Sequence, residues 1–151
     1  MSSNSNLINQ CISAACHGDE NTVLSLLRTS KVNINDTNEY GYTALMYAAI
    51  YNKDNMVSLL LNRGADINTK DKYGDTVLMH AAYKGNESMV SLLLDRGADI
   101  NMKNKDGCTA LMFVARYDKQ SMISLLLDRG ADYKIKNKVS ITVRFSFKAT
   151  F

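Results

Sequence analysis

Residues 64–82, GADINTKDKYGDTVLMHAA, return 33 positions later as GADINMKNKDGCTALMFVA at 97–115. One period earlier, the second half of the stretch stands as TNEYGYTALMYAA at 37–49. Gly41, Gly74 and Gly107 share that spacing, and so do Gly64, Gly97 and Gly130. A period of this size admits few folds. Each unit is too small to bury its own apolar face, so stability has to come from stacking unit on unit in a row. The 151 residues therefore read as four or five stacked units rather than one centred core.

Each unit carries its own start and stop signals. Thr43, Thr76 and Thr109 precede apolar-periodic runs, in the place of an N-cap whose hydroxyl accepts from an otherwise orphaned N–H. The runs extend to about Tyr51, Lys84 and Tyr117, and the pairs Ala48-Ala49, Ala81-Ala82 and Val114-Ala115 are small enough for close helix contact. A second helix follows in MVSLLL at Met56 and Met89 and MISLLL at Met122. Its apolar residues cover more than one stripe, as a helix sandwiched between neighbours requires. Arg63, Arg96 and Arg129 fall in the last turn, and the glycine after each is placed for a left-handed C′ cap. GADIN then opens a hairpin-like finger, whose turn glycine (Gly41, Gly74 or Gly107) supplies a positive φ.

This pattern resembles the ankyrin repeat over roughly residues 7–138. The resemblance implies an all-α, ankyrin-type helix-turn-helix solenoid with hairpin-like fingers. Residues 1–6 read as a disordered lead-in and 7–36 as an N-terminal two-helix unit with no finger before it. Repeats follow at 37–69, 70–102 and 103–135, and 136–151 reads as an aborted fourth repeat or a β-like apolar and basic tail. The family's usual helix opening is T-P-L-H; here it is T-A-L-M or T-V-L-M, a Leu-Met form that looks like repeats carried by large DNA viruses. The chain has no proline, so the helix starts lack the pre-set φ that proline provides at N1.

Composition narrows the setting. Basic and acidic residues number 18 and 15, but beyond Asp132 there are five basic and no acidic ones, a short basic tail on a near-neutral body. Cys11, Cys16 and Cys108 cannot all pair and read as free thiols of a reducing compartment. The start MSSNSNL lacks the basic-then-apolar layout of a signal peptide, and no apolar run approaches the roughly 18 residues of a membrane span. The expectation is a soluble, intracellular protein with no membrane contact.

Little here suggests catalysis, a cofactor or a metal. Cys11, Cys16 and His17 lack the second ligand pair of a zinc site, and Cys11 aligns with the core residues Leu45, Leu78 and Leu111. His80 shares a column with Tyr47 and Phe113, a structural position. Asp66, Asp99 and Asp132 recur with the repeat, as do Asn68 and Asn101, which read as turn-bracing amides although they match the family's Asn hydroxylation pattern. Lys134, Lys136, Lys138, Arg144 and Lys148 read as a solvated end rather than a nucleic-acid site, because no recognition helix or stacking module accompanies them.

The resemblance implies protein–protein recognition through finger tips and the inner face of each first helix. In the first full repeat it selects Thr37, Glu39, Tyr40, Tyr42, Ile50 and Tyr51. In the second it selects Lys70, Lys72, Tyr73, Asp75, Tyr83 and Lys84. The third offers Lys103, Lys105, Asp106, Cys108, Arg116 and Tyr117. Six of the eight tyrosines fall in this set, which holds six basic and three acidic residues and so predicts an acidic partner. Two other readings stand beside it: an adaptor fragment of a longer protein that recruits host machinery, and a basic-tailed nucleic-acid-associated protein. A monomer is expected. The strict alternation from Ile141 to Phe151 predicts a strand-like remnant covering the last repeat or mediating self-association.

Overall fold

A computed structural model describes residues 3–138, which form eight helices. They are α1 (Ser3–His17), α2 (Glu20–Arg28), α3 (Ala44–Ile50), α4 (Asp54–Asn62), α5 (Val77–Lys84), α6 (Glu87–Asp95), α7 (Ala110–Arg116) and α8 (Gln120–Asp128). Each odd-numbered helix packs on the even-numbered one after it, and α1, α3, α5 and α7 stack on one another as an inner row. The strand-like alternation predicted for 141–151 lies outside the described residues.

The second helices show why the repeated string is so apolar. In α4, Met56, Val57 and Leu60 are buried; Met89, Val90 and Leu93 repeat this in α6, and Met122, Ile123 and Leu126 in α8. Burying such a side chain is worth roughly 1.5–3 kcal/mol, so the string holds each repeat together jointly with the inner helix, where Leu45, Met46, Leu78 and Met79 are as deeply buried. Leu59, Leu61, Leu92, Leu94, Leu125 and Leu127 pack on its shoulders, which is the wide stripe the sequence predicts. Each of these helices stops at a glycine with φ of 88° to 91°. The N–H of Ala65, Ala98 and Ala131 then returns to the carbonyl of Leu60, Leu93 and Leu126 at 2.9–3.0 Å, a complete Schellman ending. Arg63, Arg96 and Arg129 stand at the C-cap itself, one residue beyond the last turn.

Two expectations need correction. The stretch 1–6 reads as a disordered lead-in, yet α1 begins at Ser3. Leu7 and Ile8 pack against the core, and once that turn is fixed, a few Ser and Asn residues ahead of it cost well under about 1 kcal/mol each in helix propensity. The second correction concerns capping. Thr43 and Thr76 accept from the N–H of Met46 and Met79 at 3.2 and 3.4 Å, but Thr109 makes no such bond. The Met112 N–H goes instead to the Thr109 carbonyl at 3.1 Å, and the buried Thr109 hydroxyl has no partner among the described residues.

The contrast gives a direct test. Thr76→Val removes a capping acceptor and is expected to cost about 1 kcal/mol. Thr109→Val removes an orphaned hydroxyl from a site of the same shape and should be neutral or stabilising by up to about 1 kcal/mol. Urea midpoints of the two variants against the parent decide it. Equal losses would mean that Thr109 caps its helix in solution.

Candidate functional site

Three short fingers precede α3, α5 and α7, and each is closed by the same bonds. Asn38 N–H donates to the Tyr42 carbonyl, Asp71 to Asp75 and Asn104 to Cys108, at 2.9–3.0 Å. Inside each loop one side-chain oxygen accepts twice. Asn38 Oδ1 takes the N–H of Tyr40 and Tyr42 at 3.0 Å, and Asn104 Oδ1 takes those of Asp106 and Cys108 at 3.0 and 2.9 Å. Asp71 Oδ1 does the same for Tyr73 and Asp75 at 2.8 and 2.9 Å. A polar residue at this point lets a tight turn satisfy its own donors.

The fingers are also tied to one another. Lys72 N–H donates to the Tyr40 carbonyl, Lys105 to that of Tyr73 and Lys138 to that of Asp106, at 2.9–3.1 Å. At the finger roots a second ladder runs through the recurring amides. Asn35, Asn68 and Asn101 each accept, on Oδ1, the N–H of the aspartate one repeat on: Asp66, Asp99 and Asp132, at 2.8–2.9 Å. The turn-bracing role expected of Asn68 and Asn101 is thus a bond between repeats. At the opposite end of the helices, Lys119 Nζ reaches the Tyr83 carbonyl at 2.7 Å and Asn86 Nδ2 reaches Asn52 Oδ1 at 2.5 Å.

On this frame the predicted contact residues divide into two groups. Tyr40 and Tyr73 stand out at the finger tips, 55% and 65% exposed. Tyr51, Tyr83 and Tyr117, at the ends of the inner helices, are about half exposed, and the last two meet edge to face at 5.4 Å. Thr37, Glu39, Lys70, Lys72, Lys84, Lys103, Lys105, Asp106 and Arg116 are exposed, with Ile50 half-buried beside them. The other group is occupied in holding the fingers. Tyr42 packs on Tyr47 at 5.3 Å and on His80 at 5.2 Å. Burial first, and the nearby Asp71 carboxylate second, push its phenol above the ordinary value. Asp75 Oδ1 accepts from Asn104 Nδ2 at 2.8 Å, and Cys108 Sγ lies 3.8 Å from Asn137 Nδ2.

His80 fits its structural reading and gains a partner that the sequence did not reveal. Its Nε2 lies 2.9 Å from Oδ2 of Asp71, whose side chain is fully buried. The only signal for this was a column in which Asn38, Asp71 and Asn104 align and one member is charged. Ligand atoms of Asp71, Asp75 and His80 fall within 4.8 Å of one another. The hydrogen bonds just described account for that convergence as part of the finger. Cys11 is buried, and burial together with Asp36 raises its thiol, the opposite of an activated nucleophile.

Residues 136–138 read from sequence as the start of an aborted fourth repeat or as a basic tail, and the Lys138 N–H bond to the Asp106 carbonyl continues the finger series. No described helix is long and apolar enough to cross a membrane. No curated protein matches the chain. Two family models do match: ankyrin repeats (3 copies) over residues 64–137 and ankyrin repeats (many copies) over residues 26–78.

Proposed function

This chain belongs to the ankyrin-repeat family, and we propose that it is a recognition scaffold for an acidic protein partner seated across the finger tips and inner helices. Ankyrin repeats are in general protein–protein interaction modules rather than enzymes. The observation that carries the reading is the exposure of Tyr40, Tyr51, Tyr73, Tyr83 and Tyr117, all between 49% and 65%. None of the five is needed to fill the core. Tyrosine offers a large contact area with two torsions to freeze, and interface hot spots are rich in it. The flanking charge is mainly basic, from Lys70, Lys72, Lys84, Lys103, Lys105 and Arg116 against Glu39 and Asp106, which favours an acidic surface on the other side.

The test removes the tyrosines without touching the fold. A partner recovered from an extract with the parent protein is titrated against Tyr73→Ala/Tyr83→Ala. Affinity is expected to fall by about tenfold or more, with the helical circular dichroism unchanged. Unaltered affinity would remove the finger and inner-helix assignment.

A further inference from the structure

Two columns of lysine run along the fingers at the repeat period. Lys70, Lys103 and Lys136 form one and Lys72, Lys105 and Lys138 the other, and all six are exposed. The matching positions of the first finger are Thr37 and Glu39, so the columns begin at the second finger. The ion pairs among the described residues, His80–Asp71 and Arg129–Asp95, involve none of the six. The second column is fixed through its backbone, with Lys72, Lys105 and Lys138 each donating to the finger before. In the first column the Lys70 side chain lies along the ridge, its Nζ on the Lys103 carbonyl at 2.7 Å. Rows of unneutralised charge held in register are a stronger constraint on a partner than net charge alone.

The pitch of the columns follows from the hydrogen bonding. Each finger contributes two rails, bonded within the finger (Asp71 to Asp75) and then to the next finger (Lys105 to Tyr73). Lysines of one column are therefore two rail spacings apart, about 9.5 Å. Three residues of a β-strand cover about 10 Å, but every third side chain of a strand alternates between faces. A polyproline II segment has three residues per turn and rises about 3.1 Å per residue, so every third side chain returns to one face after about 9.3 Å. We propose that the lysine columns dock a polyproline II segment of the partner protein that carries a carboxylate at every third position. This rests on the recognition reading above and narrows its partner. Tyr40 and Tyr73, beside the columns at the tips, supply the aromatic faces against which such segments pack. A duplex strand has phosphates three apart at about 10 Å, but with about 10 bp per turn they are rotated by nearly a third of a turn and do not lie on one line.

The experiment uses the full chain and two labelled nonapeptides of identical composition, followed by fluorescence anisotropy. The periodic peptide repeats the triplet E-P-P three times; the clustered peptide, EEEPPPPPP, gathers its glutamates at one end. The periodic peptide is expected to bind about fivefold tighter than the clustered one, and Lys72→Glu/Lys105→Glu to weaken it about tenfold. Circular dichroism checks that the variant keeps its helices. Equal affinity for the two peptides overturns the proposal, since charge alone would then be read. Tighter binding of an oligothymidylate than of the periodic peptide overturns it in favour of nucleic acid. Loss of partner capture in Tyr73→Ala/Tyr83→Ala, with neither peptide bound, sinks this inference and leaves the recognition reading intact. A bound periodic peptide with capture unaffected by the tyrosines removes the tyrosine surface from the recognition reading and leaves the lysine columns as the docking site.

Discussion

Gly74→Ala is expected to destabilise the protein by about 2–4 kcal/mol, against about 1–2 kcal/mol for Gly97→Ala. Both glycines are left-handed, with φ of 83° and 90°, so both substitutions carry the conformational cost of placing a Cβ there. The difference is space. A Cβ on Gly97 meets nothing within 4 Å, whereas one on Gly74 would lie 2.7 Å from the backbone nitrogen of Lys105. Backbone cannot swing aside as a side-chain tip can, so the third finger must move off the second. The Lys105 bond to the Tyr73 carbonyl, 3.0 Å, is then lost or stretched. Urea unfolding of the two variants measures both terms together. Equal losses would mean that the fingers separate without cost, and that their register contributes nothing to stability.

Asp71→Ala should cost about 2–4 kcal/mol, while Asp71→Asn should cost less than about 1 kcal/mol. Removing the carboxylate strands the N–H groups of Tyr73 and Asp75 in a half-buried turn and takes the partner of His80 with it. The asparagine keeps the oxygen that those N–H groups need. Its adequacy is already demonstrated by Asn38 and Asn104, which hold the neighbouring fingers with bonds of 2.9–3.0 Å. Thermal or urea denaturation separates the two variants. Should the asparagine be as damaging as the alanine, the bond to His80, and not the turn, would be what Asp71 supplies.

The elements that local pattern dictates were legible. Caps at Thr43 and Thr76, Schellman glycines at Gly64, Gly97 and Gly130, and the inward Met-Val and Leu of each second helix all follow from rules that act within one helix. What escaped acts across a repeat boundary. The bond from the Asp99 N–H to Asn68 Oδ1 joins residues 31 positions apart, and the Lys72 bond to Tyr40 depends on how two loops abut. Neither has a local signature, although the column of asparagines at the repeat period pointed to a shared duty. Thr109 failed in the other direction. It has the right residue in the right place, but the chain there bends into an i−3 backbone bond that leaves its hydroxyl idle. The contact residues were legible as positions; that Tyr42, Asp75 and Cys108 are occupied was not, because each is engaged by another finger or by the helix behind it.

The ties between repeats lie at both ends of the helices: finger to finger at one, Lys119 to the Tyr83 carbonyl at the other. Among the described residues, the three full repeats are tied to one another on both sides, which opposes a swing about either one. A body held in this way is expected to meet a partner in a single step. Diffusion, orientation and long-range charge set how often an encounter succeeds, typically at about 10⁵–10⁷ M⁻¹ s⁻¹, with no slow closing motion to wait for. Competing partners are then sorted by how long each complex survives before it falls apart.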